Sequence, residues 1–427
     1  MKVDNIILGA GISGCSAGQI FHEDKSNYLI LEKNPSIGGL TRSIYLGEAV
    51  FDYTGHFLHL THWDNPAQIP FAGLKLDNWK RVIRNSGIYM DGSLIPAPFQ
   101  YNLKFLPENL RQQCLDKYIA RTKATFSNNL KDYFINEFGE GIAESFLIPY
   151  NQKMLDIDLS DISLQNIKRF FPKAEDKLVL EGKNDNVSPE YNSKFWYPVS
   201  DGIGVLADGL AQNLKILKNV RITRIKLKEK KITTNFGEIS YSNLISSIPL
   251  KYFCERTDNP QLIKLGRALS CNKVLSLNVL NKGRLKARFN DFHWLYFPEE
   301  KFPFFRIGFY SNISGSLYND SVTALYIEQS FSQKNNISNL NSIVNKLVRA
   351  LKNLDIFEEF NITHMTANII DPAYVHFTHN YELIVKNILN YTEPNNVHFI
   401  GRYGMWDYIS MEDSIRSGMN TANRIRM

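Results

Sequence analysis

The chain has 427 residues, of which 44% are hydrophobic and 22% are charged, the composition of an ordinary soluble protein with two or three domains. The formal net charge of +6 is small for this length, so it permits anionic ligands but does not call for nucleic acid. No apolar run approaches the roughly 18 residues of a membrane-spanning helix. We therefore expect no membrane span, and because the sequence opens directly on a strand pattern, we expect no signal peptide.

The first 32 residues have the pattern of a dinucleotide-binding unit. An apolar run at 3–8 predicts a buried parallel strand, and a helix is predicted at 13–21, with its free N–H groups directed at a pyrophosphate. A second strand at 28–31 ends in Glu32, at about the spacing (~20 residues) of a ribose-binding acid. The glycines between the first strand and the helix follow the GxGxxG spacing of such units: Gly9, Gly11 and Gly14.

A second glycine pair, Gly38 and Gly39, lies in the stretch 33–43, just past the acid. An NAD domain has no need of this pair. The stretch resembles flavin enzymes of the amine oxidase, protoporphyrinogen oxidase and UDP-galactopyranose mutase families, in which it lies along the FAD pyrophosphate. The stretch 52–59, with Gly55 and His56, resembles the Gly-x-His segment that lies against the isoalloxazine of the sugar mutases. The resemblance therefore implies FAD rather than NAD.

The rest of the chain predicts a three-part organisation. The segment 63–189 is mainly helical, with helices at 107–122, 130–138 and 164–171 and a polar surface loop at 181–192. The predicted elements after it are strands at 195–198, 220–227, 231–235, 244–248, 274–280, 294–298, 304–310, 322–328 and 397–400 and helices at 205–213, 340–351 and 411–424.

The predicted fold is therefore α/β. It comprises a discontinuous Rossmann-like FAD-binding domain (1–62, 190–252 and 385–427), a helical insertion (63–189) and an antiparallel-sheet substrate domain (253–384) that roofs the flavin. Gly401, between the strand at 397–400 and the last helix, predicts a second phosphate-type turn that closes the flavin domain.

Four later patches resemble UDP-galactopyranose mutases, the eukaryotic-type members more than the bacterial ones, so that the resemblance covers most of the chain. The stretch 98–102 resembles the family segment in which a glutamine meets the uracil, and here that residue is Gln100, with Phe99 beside it. The stretch 141–153 resembles the family's Phe…Pro-Tyr-Asn-x-Lys run. It implies that Phe146 stacks on the base and that Asn151 forms a hydrogen bond to it.

The other two patches concern the diphosphate. The stretch 294–306 resembles Trp-x-Tyr-Phe-Pro…Phe-Tyr-Arg, and 401–408 resembles Gly-Arg-x-Gly-x-Trp-x-Tyr. The resemblance assigns the diphosphate to Tyr296, Arg306, Tyr408 and, by a weaker match, Tyr374. A diphosphate suits a bidentate arginine and rigid phenol donors. The cofactor contacts that the resemblance implies are Gly9, Gly11, Ser13, Gly14, Glu32, Lys33, Gly38, Gly39, Leu40, Gly55, His56, Gly401, Arg402 and Met411.

The activity implied is a redox-neutral isomerisation of a UDP-hexopyranose, such as UDP-galactose, to its furanose form. In the family, N5 of reduced FAD attacks the anomeric carbon, UDP leaves, and the flavin–sugar adduct recloses as a furanose. His56 and Arg306 are the implied catalytic residues, and NAD(P)H is the implied reductant. A galactofuranose donor points to polysaccharide biosynthesis by family analogy alone. An oligomer is compatible with the sequence, which does not set the oligomeric state.

Three positions on the substrate side depart from the family pattern. Ser200 stands where the family has an arginine, Leu155 where it has a tryptophan, and Ala97 where it has a tyrosine. Two alternatives therefore stay open: an FAD-dependent oxidoreductase of the protoporphyrinogen or amine oxidase type, and a non-catalytic flavin-binding homologue. The oxidase alternative gives no reason for a uracil-type pocket and Arg306 to occur together.

The four cysteines are scattered and show no CxxC spacing: Cys15, Cys114, Cys254 and Cys271. We therefore expect neither a disulfide framework nor a metal site. Reduced thiols in a cytoplasmic protein are the expectation that this pattern favours.

Overall fold

The computed structural model describes residues 1–46, 49–122, 127–164, 174–182, 193–314, 321–335 and 337–427. The predicted helix at 164–171, except for its first residue, and most of the polar stretch 181–192 lie outside these residues. Within the described ranges, no helix is both long and apolar enough to cross a bilayer, and no group of three or more His, Cys, Asp or Glu side chains is placed to hold a metal ion. All four cysteines are free and buried.

The first sheet is built around the strand Lys2–Leu8, whose apolar residues are buried on both sides of the sheet. This strand pairs in parallel with Tyr28–Leu31, and the helix Ile12–Glu23 connects the two as in a βαβ unit. On its other side it pairs in parallel with Gly237–Ser246. Across the described chain, the strand order is Ile222–Lys226, Lys231–Thr234, Gly237–Ser246, Lys2–Leu8, Tyr28–Leu31, Ile216–Leu217, with Val397–Phe399 paired in parallel to Gly237–Ser246.

The second sheet has two chemically different faces, because successive side chains of a strand point to opposite sides. One face is apolar and is covered by the helix Leu340–Asn353. The other face carries the alternate residues, Arg306 and Glu328 among them, and contacts the loop that follows the strand Ala49–Asp52. The strand order, over the residues described, is Ile362–Ile370, Asn272–Lys282, Val322–Ser332, Arg306–Phe309, Trp294–Tyr296, Ser86–Met90, Ser93–Pro96.

Helices fill the space around the two sheets. Their bounds are Ile12–Glu23, Glu108–Ile119, Leu130–Ile142, Ile148–Leu155, Asp176–Glu181, Gly204–Leu210, Leu250–Glu255, Pro260–Ala268, Tyr310–Ile313, Leu340–Asn353, Tyr381–Thr392, Gly401–Gly404 and Met411–Arg426. A π-helical segment, Ala143–Leu147, joins two of them. Two small antiparallel ribbons complete the described structure: Ser43–Leu46 with Ala49–Asp52, and Trp79–Ile83 with Lys194–Pro198.

The α/β architecture predicted from the sequence is confirmed, with a Rossmann-like sheet and a second sheet over it, but two details differ. Ser86–Met90 and Ser93–Pro96, from the segment expected to be helical, form a hairpin that joins the second sheet. Since Ser86–Met90 pairs in parallel with Trp294–Tyr296, the sheet is mixed rather than wholly antiparallel. All five residues of Ser86–Met90 are buried, so the alternation that marks a half-buried strand is absent. The domain limits stay a prediction.

The last helix, Met411–Arg426, is anchored to the loop at 61–63 by one buried carboxylate. The Glu412 side chain has no exposed surface and accepts hydrogen bonds from the backbone N–H groups of Thr61, His62 and Trp63 at 2.8, 2.9 and 3.0 Å. The same helix packs on Ile12–Glu23, where the Ser16 hydroxyl donates to the Ile415 carbonyl at 2.9 Å. The loop after His56 is thereby fixed against the dinucleotide-binding helix.

We expect Glu412→Gln to lower the free energy of unfolding by about 2 kcal/mol, because hydrogen bonds to a buried charged acceptor contribute ~1.5–3 kcal/mol. The amide nitrogen would also place a donor against backbone donors. Urea unfolding followed by circular dichroism measures the change. Glu23→Gln, at an exposed position on Ile12–Glu23, is the matched control. Equal unfolding midpoints for the two variants would show that the Glu412 contacts contribute nothing.

Candidate functional site

The turn after the first strand forms a cradle of backbone. Gly14 lies so close to the preceding turn that an added Cβ would collide with the Gly9 carbonyl oxygen, so only glycine lets the helix begin here. The second glycine pair lies against this turn, where the Gly38 N–H donates to the Ala10 carbonyl at 2.8 Å. Gly11 differs, since the nearest heavy atom to an added Cβ is Gly39 Cα at 4.0 Å. The space beside Gly11 is therefore open.

Glu32 lies under this cradle, at the end of the strand Tyr28–Leu31, with 5% of its surface exposed. One carboxylate oxygen accepts the Ala10 N–H at 2.9 Å, and the other accepts the backbone N–H and the side-chain amide of Asn34 at 2.8 and 2.9 Å. The carboxylate thus fixes the glycine turn. The oxygen that accepts from Ala10 keeps a further lone pair for a ribose hydroxyl, so the predicted ribose contact is chemically compatible with this placement.

The register of the second sheet places the predicted diphosphate residues in one row. Tyr296 is directly opposite Arg306, and Arg306 is directly opposite Glu328, on three neighbouring strands. Two residues along, on the same face, Gly308 lies between Trp294 and Tyr326. A side chain at Gly308 would collide with the Tyr326 ring, so glycine here admits the phenol into the site.

Arg306 and Glu328 form the most buried ion pair among the described residues of this site. Glu328 Oε2 accepts a hydrogen bond from Arg306 Nε, and Oε1 accepts one from the Thr54 hydroxyl. Burial opposes the charged guanidinium, but the Glu328 carboxylate and the nearby phenol of Tyr326 outweigh it and raise the pKa of Arg306. The arginine is therefore a permanent cation. Its side chain is 19% exposed, against 3% for Glu328, so the cation is the member of the pair that faces the open space.

His56 lies beside this pair, since its backbone N–H donates to the Thr54 carbonyl at 2.8 Å. Burial, then the positive charge of Arg402, lowers the pKa of His56 to about 4, while Glu328 acts in the opposite direction. The imidazole is therefore neutral near pH 7. Among the described residues, His56 Nδ1 and the Tyr326 hydroxyl belong to a larger set of buried polar atoms that have no hydrogen-bond partner. These two lie beside the Arg306 cation, so they are available to an anionic ligand bound there.

Arg402 and Tyr408 close the other side of the site. The Arg402 guanidinium carbon lies 4.6 Å from the centre of the Tyr408 ring, a cation–π distance, and the Tyr374 ring centre lies 6.2 Å from that of Tyr408. Burial raises the pKa of Tyr374 and of Tyr408 and keeps both phenols protonated. Two cations and several phenol donors therefore converge around His56.

The predicted base-binding residues form an aromatic run that leads into this cluster. The rings of Phe99 and Phe146 stack at 5.1 Å, those of Phe146 and Tyr150 at 5.3 Å, and Tyr150 meets Tyr296 edge-on at 5.0 Å. Asn151 is buried on the same helix, with its amide nitrogen donating to the Leu147 carbonyl at 2.7 Å. Gln100, also buried, follows Phe99 in one short 3₁₀ turn. The structure therefore brings both substrate-side patches together.

The remaining predicted residues lie at the edges of the site. Gly55 packs against the Tyr326 hydroxyl, and Gly401 against the Ser13 side chain, so each leaves no room for a Cβ. Lys33 is exposed, whereas Leu40 and Met411 are half-buried. Ser200 is exposed, and its hydroxyl lies 3.3 Å from the Asp201 carboxylate. At this position the described chain therefore presents a hydroxyl beside an acid, and no positive charge.

Sequence reasoning missed Glu328, Tyr326 and Thr54. A usable signal exists for the first, because Glu328 is the one charged residue in the buried part of the strand Val322–Ser332. An acid in such a run is rarely buried without a cationic partner. Nothing in the local sequence indicates the other two, since a tyrosine in a strand and a threonine in a loop are ordinary.

Residues 7–68 match the family model described as an NAD(P)-binding Rossmann-like domain. The chain is therefore a protein with a dinucleotide-binding type of fold, joined to a second sheet that carries an arginine–phenol cluster.

Among solved structures, it is similar to reduced UDP-galactopyranose mutase, with a TM-score of 0.91 and 23% identity over 99% of this chain and 95% of that one. It is also similar to a proposed protoporphyrinogen oxidase from Exiguobacterium sp. 255-15 (TM-score 0.73, 13% identity, 99% and 98% covered). A third similar structure is cyclohexylamine oxidase from Brevibacterium oxydans IH-35A, with a TM-score of 0.67 and 16% identity over 99% of this chain and 98% of that one. At these identities the likeness shows the fold, and at that level it confirms the resemblance predicted from the sequence.

We expect Gly11→Ala to fold normally but to bind its dinucleotide at least about tenfold more weakly. The backbone at Gly11 is extended (φ −77°), and the protein leaves open space for the methyl group, which would instead meet the ligand. Bound flavin per chain and the thermal midpoint measure the two effects. Glu23→Ala, at the exposed far end of the helix that follows Gly11, is the control. Full flavin content in Gly11→Ala would place the dinucleotide elsewhere.

The neutral state of His56 predicts a pH dependence of stability. Its pKa of about 4 in the folded protein lies below the ordinary 6.5, so between these values the unfolded chain binds more protons. Stability from this residue is complete above pH 6.5 and is lost as the pH falls toward 4. Thermal midpoints of wild type and His56→Gln should therefore converge on acidification. Parallel curves would show that His56 titrates normally. Asp52, whose pKa burial raises to about 6, contributes equally to both proteins.

Proposed function

We propose that this protein is an FAD-dependent mutase that interconverts a UDP-hexopyranose, UDP-galactose or a close relative, and its furanose form. The observation that carries the proposal is the cluster of Arg306 and Tyr296 at the end of the aromatic run that begins at Phe99, which Tyr374 connects to Tyr408. A cation with phenol donors suits a diphosphate, and stacked rings with buried amides suit a uracil. The two features are adjacent, as the two ends of a UDP-sugar require.

The residues present fit FAD. The glycine turn and the open space beside Gly11 suit a pyrophosphate, with the N-terminus of a twelve-residue helix behind it. Glu32 lies where a ribose would be held, and His56 Nδ1, buried near Arg306 and Arg402, has no hydrogen-bond partner among the described residues. When bound and reduced, by NAD(P)H in our proposal, FAD would supply the nucleophile for a redox-neutral ring isomerisation.

The roles of the protein's own residues follow from charge and position. Arg306 and the phenols would bind the diphosphate and stabilise the negative charge that grows on it when it leaves the sugar. Neutral His56 would donate or accept one hydrogen bond without adding a charge beside the flavin. The aromatic run would bind the uracil and so locate the sugar. The proposed reaction is redox-neutral overall, so it consumes no oxidant.

The rival function is an oxidoreductase of the protoporphyrinogen or amine oxidase type, and the similarity to two oxidase structures supports it. An oxidase acting on an apolar substrate would not need a buried guanidinium in its site, because desolvating a charge is costly. Ser200, exposed beside Asp201, favours a sugar nucleotide other than the family's usual one or a non-catalytic homologue. These alternatives are separated by experiment.

With FAD reduced by dithionite, we expect purified protein to convert UDP-galactose or another UDP-hexose to a furanose form, resolved by chromatography. The oxidised protein should be inactive. Arg306→Ala should lower kcat/KM about 30-fold or more, since truncating one member of a buried charge pair costs ~2–5 kcal/mol. Arg306→Lys keeps the charge but loses the planar fork, so it should recover only part of the activity.

The matched control is Arg349→Ala, in an exposed part of the helix Leu340–Asn353 on the far face of the second sheet. Its activity should equal that of wild type. Failure of the reduced protein to convert any UDP-hexose, together with no change of the flavin spectrum on adding UDP, would refute the mutase. Oxygen consumption with an amine or a porphyrinogen would then favour the oxidase, and neither reaction would favour the non-catalytic homologue.

A further inference from the structure

Glu328, which has no assigned role, contacts both halves of the candidate site. One carboxylate oxygen accepts the hydrogen bond from Arg306 Nε, and the other accepts the hydrogen bond from the Thr54 hydroxyl. Thr54 in turn holds the backbone N–H of His56 at 2.8 Å. A single carboxylate therefore joins the strand that carries the arginine to the loop that carries the histidine.

We propose that Glu328 is a positioning residue, which fixes the Arg306 guanidinium relative to the His56 loop and so sets the distance between a bound diphosphate and the flavin. The inference rests on the proposed mutase function. In this role Glu328 does not contact the substrate. Arg306 makes the contact, and Glu328 holds the Arg306 guanidinium in the orientation that the contact requires.

The geometry of the second sheet supports this role. Arg306 and Glu328 are cross-strand neighbours, and Ser276 is opposite Glu328 on the next strand, so the carboxylate has a strand on each side. With 3% of its side chain exposed, Glu328 has no access to bulk water as an alternative partner. The hydrogen bond uses Arg306 Nε, and the two terminal nitrogens carry the donors that phosphate oxygens bind.

Charge distinguishes positioning from simple attraction of the ligand. Arg306 and Arg402 are both cations near His56, which is neutral. Glu328 offsets part of this positive charge, so it weakens rather than strengthens the attraction for a diphosphate. If its value to the protein lay in binding alone, an acid would be a poor choice. An acid at this position is useful because it holds a guanidinium in one orientation.

The test compares wild type, Glu328→Gln and Thr54→Val as full-length, FAD-loaded proteins. For Glu328→Gln we expect a UDP dissociation constant equal to or up to about threefold lower than that of wild type, because a negative charge is removed. The kcat for the UDP-hexose should fall about tenfold or more, because a misoriented contact costs catalysis. Thr54→Val, which removes one of the two hydrogen bonds, should lower kcat by a smaller factor at unchanged UDP affinity.

Two further variants distinguish a positional role of Glu328 from a role of its negative charge alone. Glu328→Asp keeps the charge but is one methylene shorter, so it should not restore kcat if the role is positional, and it should restore kcat if only charge matters. Glu238→Gln, in an exposed ion pair with Lys226 on the first sheet, should leave kcat and UDP affinity unchanged. Full rescue by Glu328→Asp would overturn the positioning role.

The outcomes also separate this inference from the proposed function. Unchanged kcat in Glu328→Gln, with a wild type that binds UDP and turns over, would sink the positioning role and leave the mutase standing. Parallel losses of kcat, UDP affinity and thermal midpoint would also overturn it, as a merely structural effect. If Glu328→Gln does not fold, an unchanged kcat in Thr54→Val overturns it. A wild type that neither binds UDP nor converts a UDP-hexose refutes the mutase, and the positioning role with it.

Discussion

The buried ion pair of Arg306 and Glu328 is the interaction on which the rest of the site depends. Two charges withdrawn from water gain little net stability, since the cost of desolvation offsets most of their attraction, but removing either one leaves the other buried and unpaired. The pair therefore constrains its surroundings more than it stabilises them. Thr54, which donates to the second carboxylate oxygen, extends this constraint to the loop that carries His56.

The second sheet can hold such a pair because its two faces are chemically separate. On the far face, an apolar layer packs on Leu340–Asn353 and supplies the hydrophobic burial. On the near face, the alternate residues are free to be polar or aromatic, and the register brings Tyr296, Arg306 and Glu328 into one row. Glycines at 55 and 308 admit the Tyr326 ring between the row and the His56 loop. The hydrophobic contacts that stabilise the sheet thus lie on one face, and the polar residues of the candidate site lie on the other.

The same architecture occurs in a sugar mutase and in oxidases, so the fold by itself does not select a reaction. The selection lies in the side chains placed on the shared scaffold. Two cations, phenols kept protonated by burial and a neutral imidazole make a site suited to an anionic ligand. Ser200, exposed beside Asp201, presents a hydroxyl and no positive charge at its position.

The sequence by itself determined the dinucleotide-binding turn, because strand, glycines, helix and Glu32 are near neighbours in the chain and their pattern is local. It also determined four of the seven strands of the second sheet and, through short motifs, two of the residues on its near face, Tyr296 and Arg306. The tertiary structure alone decided what those residues touch. Glu328 is 22 positions from Arg306 and 274 from Thr54, and the hairpin of Ser86–Met90 and Ser93–Pro96 joins a sheet formed mostly some 200 residues later. Strand pairing over such separations is set by packing of the whole chain, and the local hydrophobic pattern does not predict it.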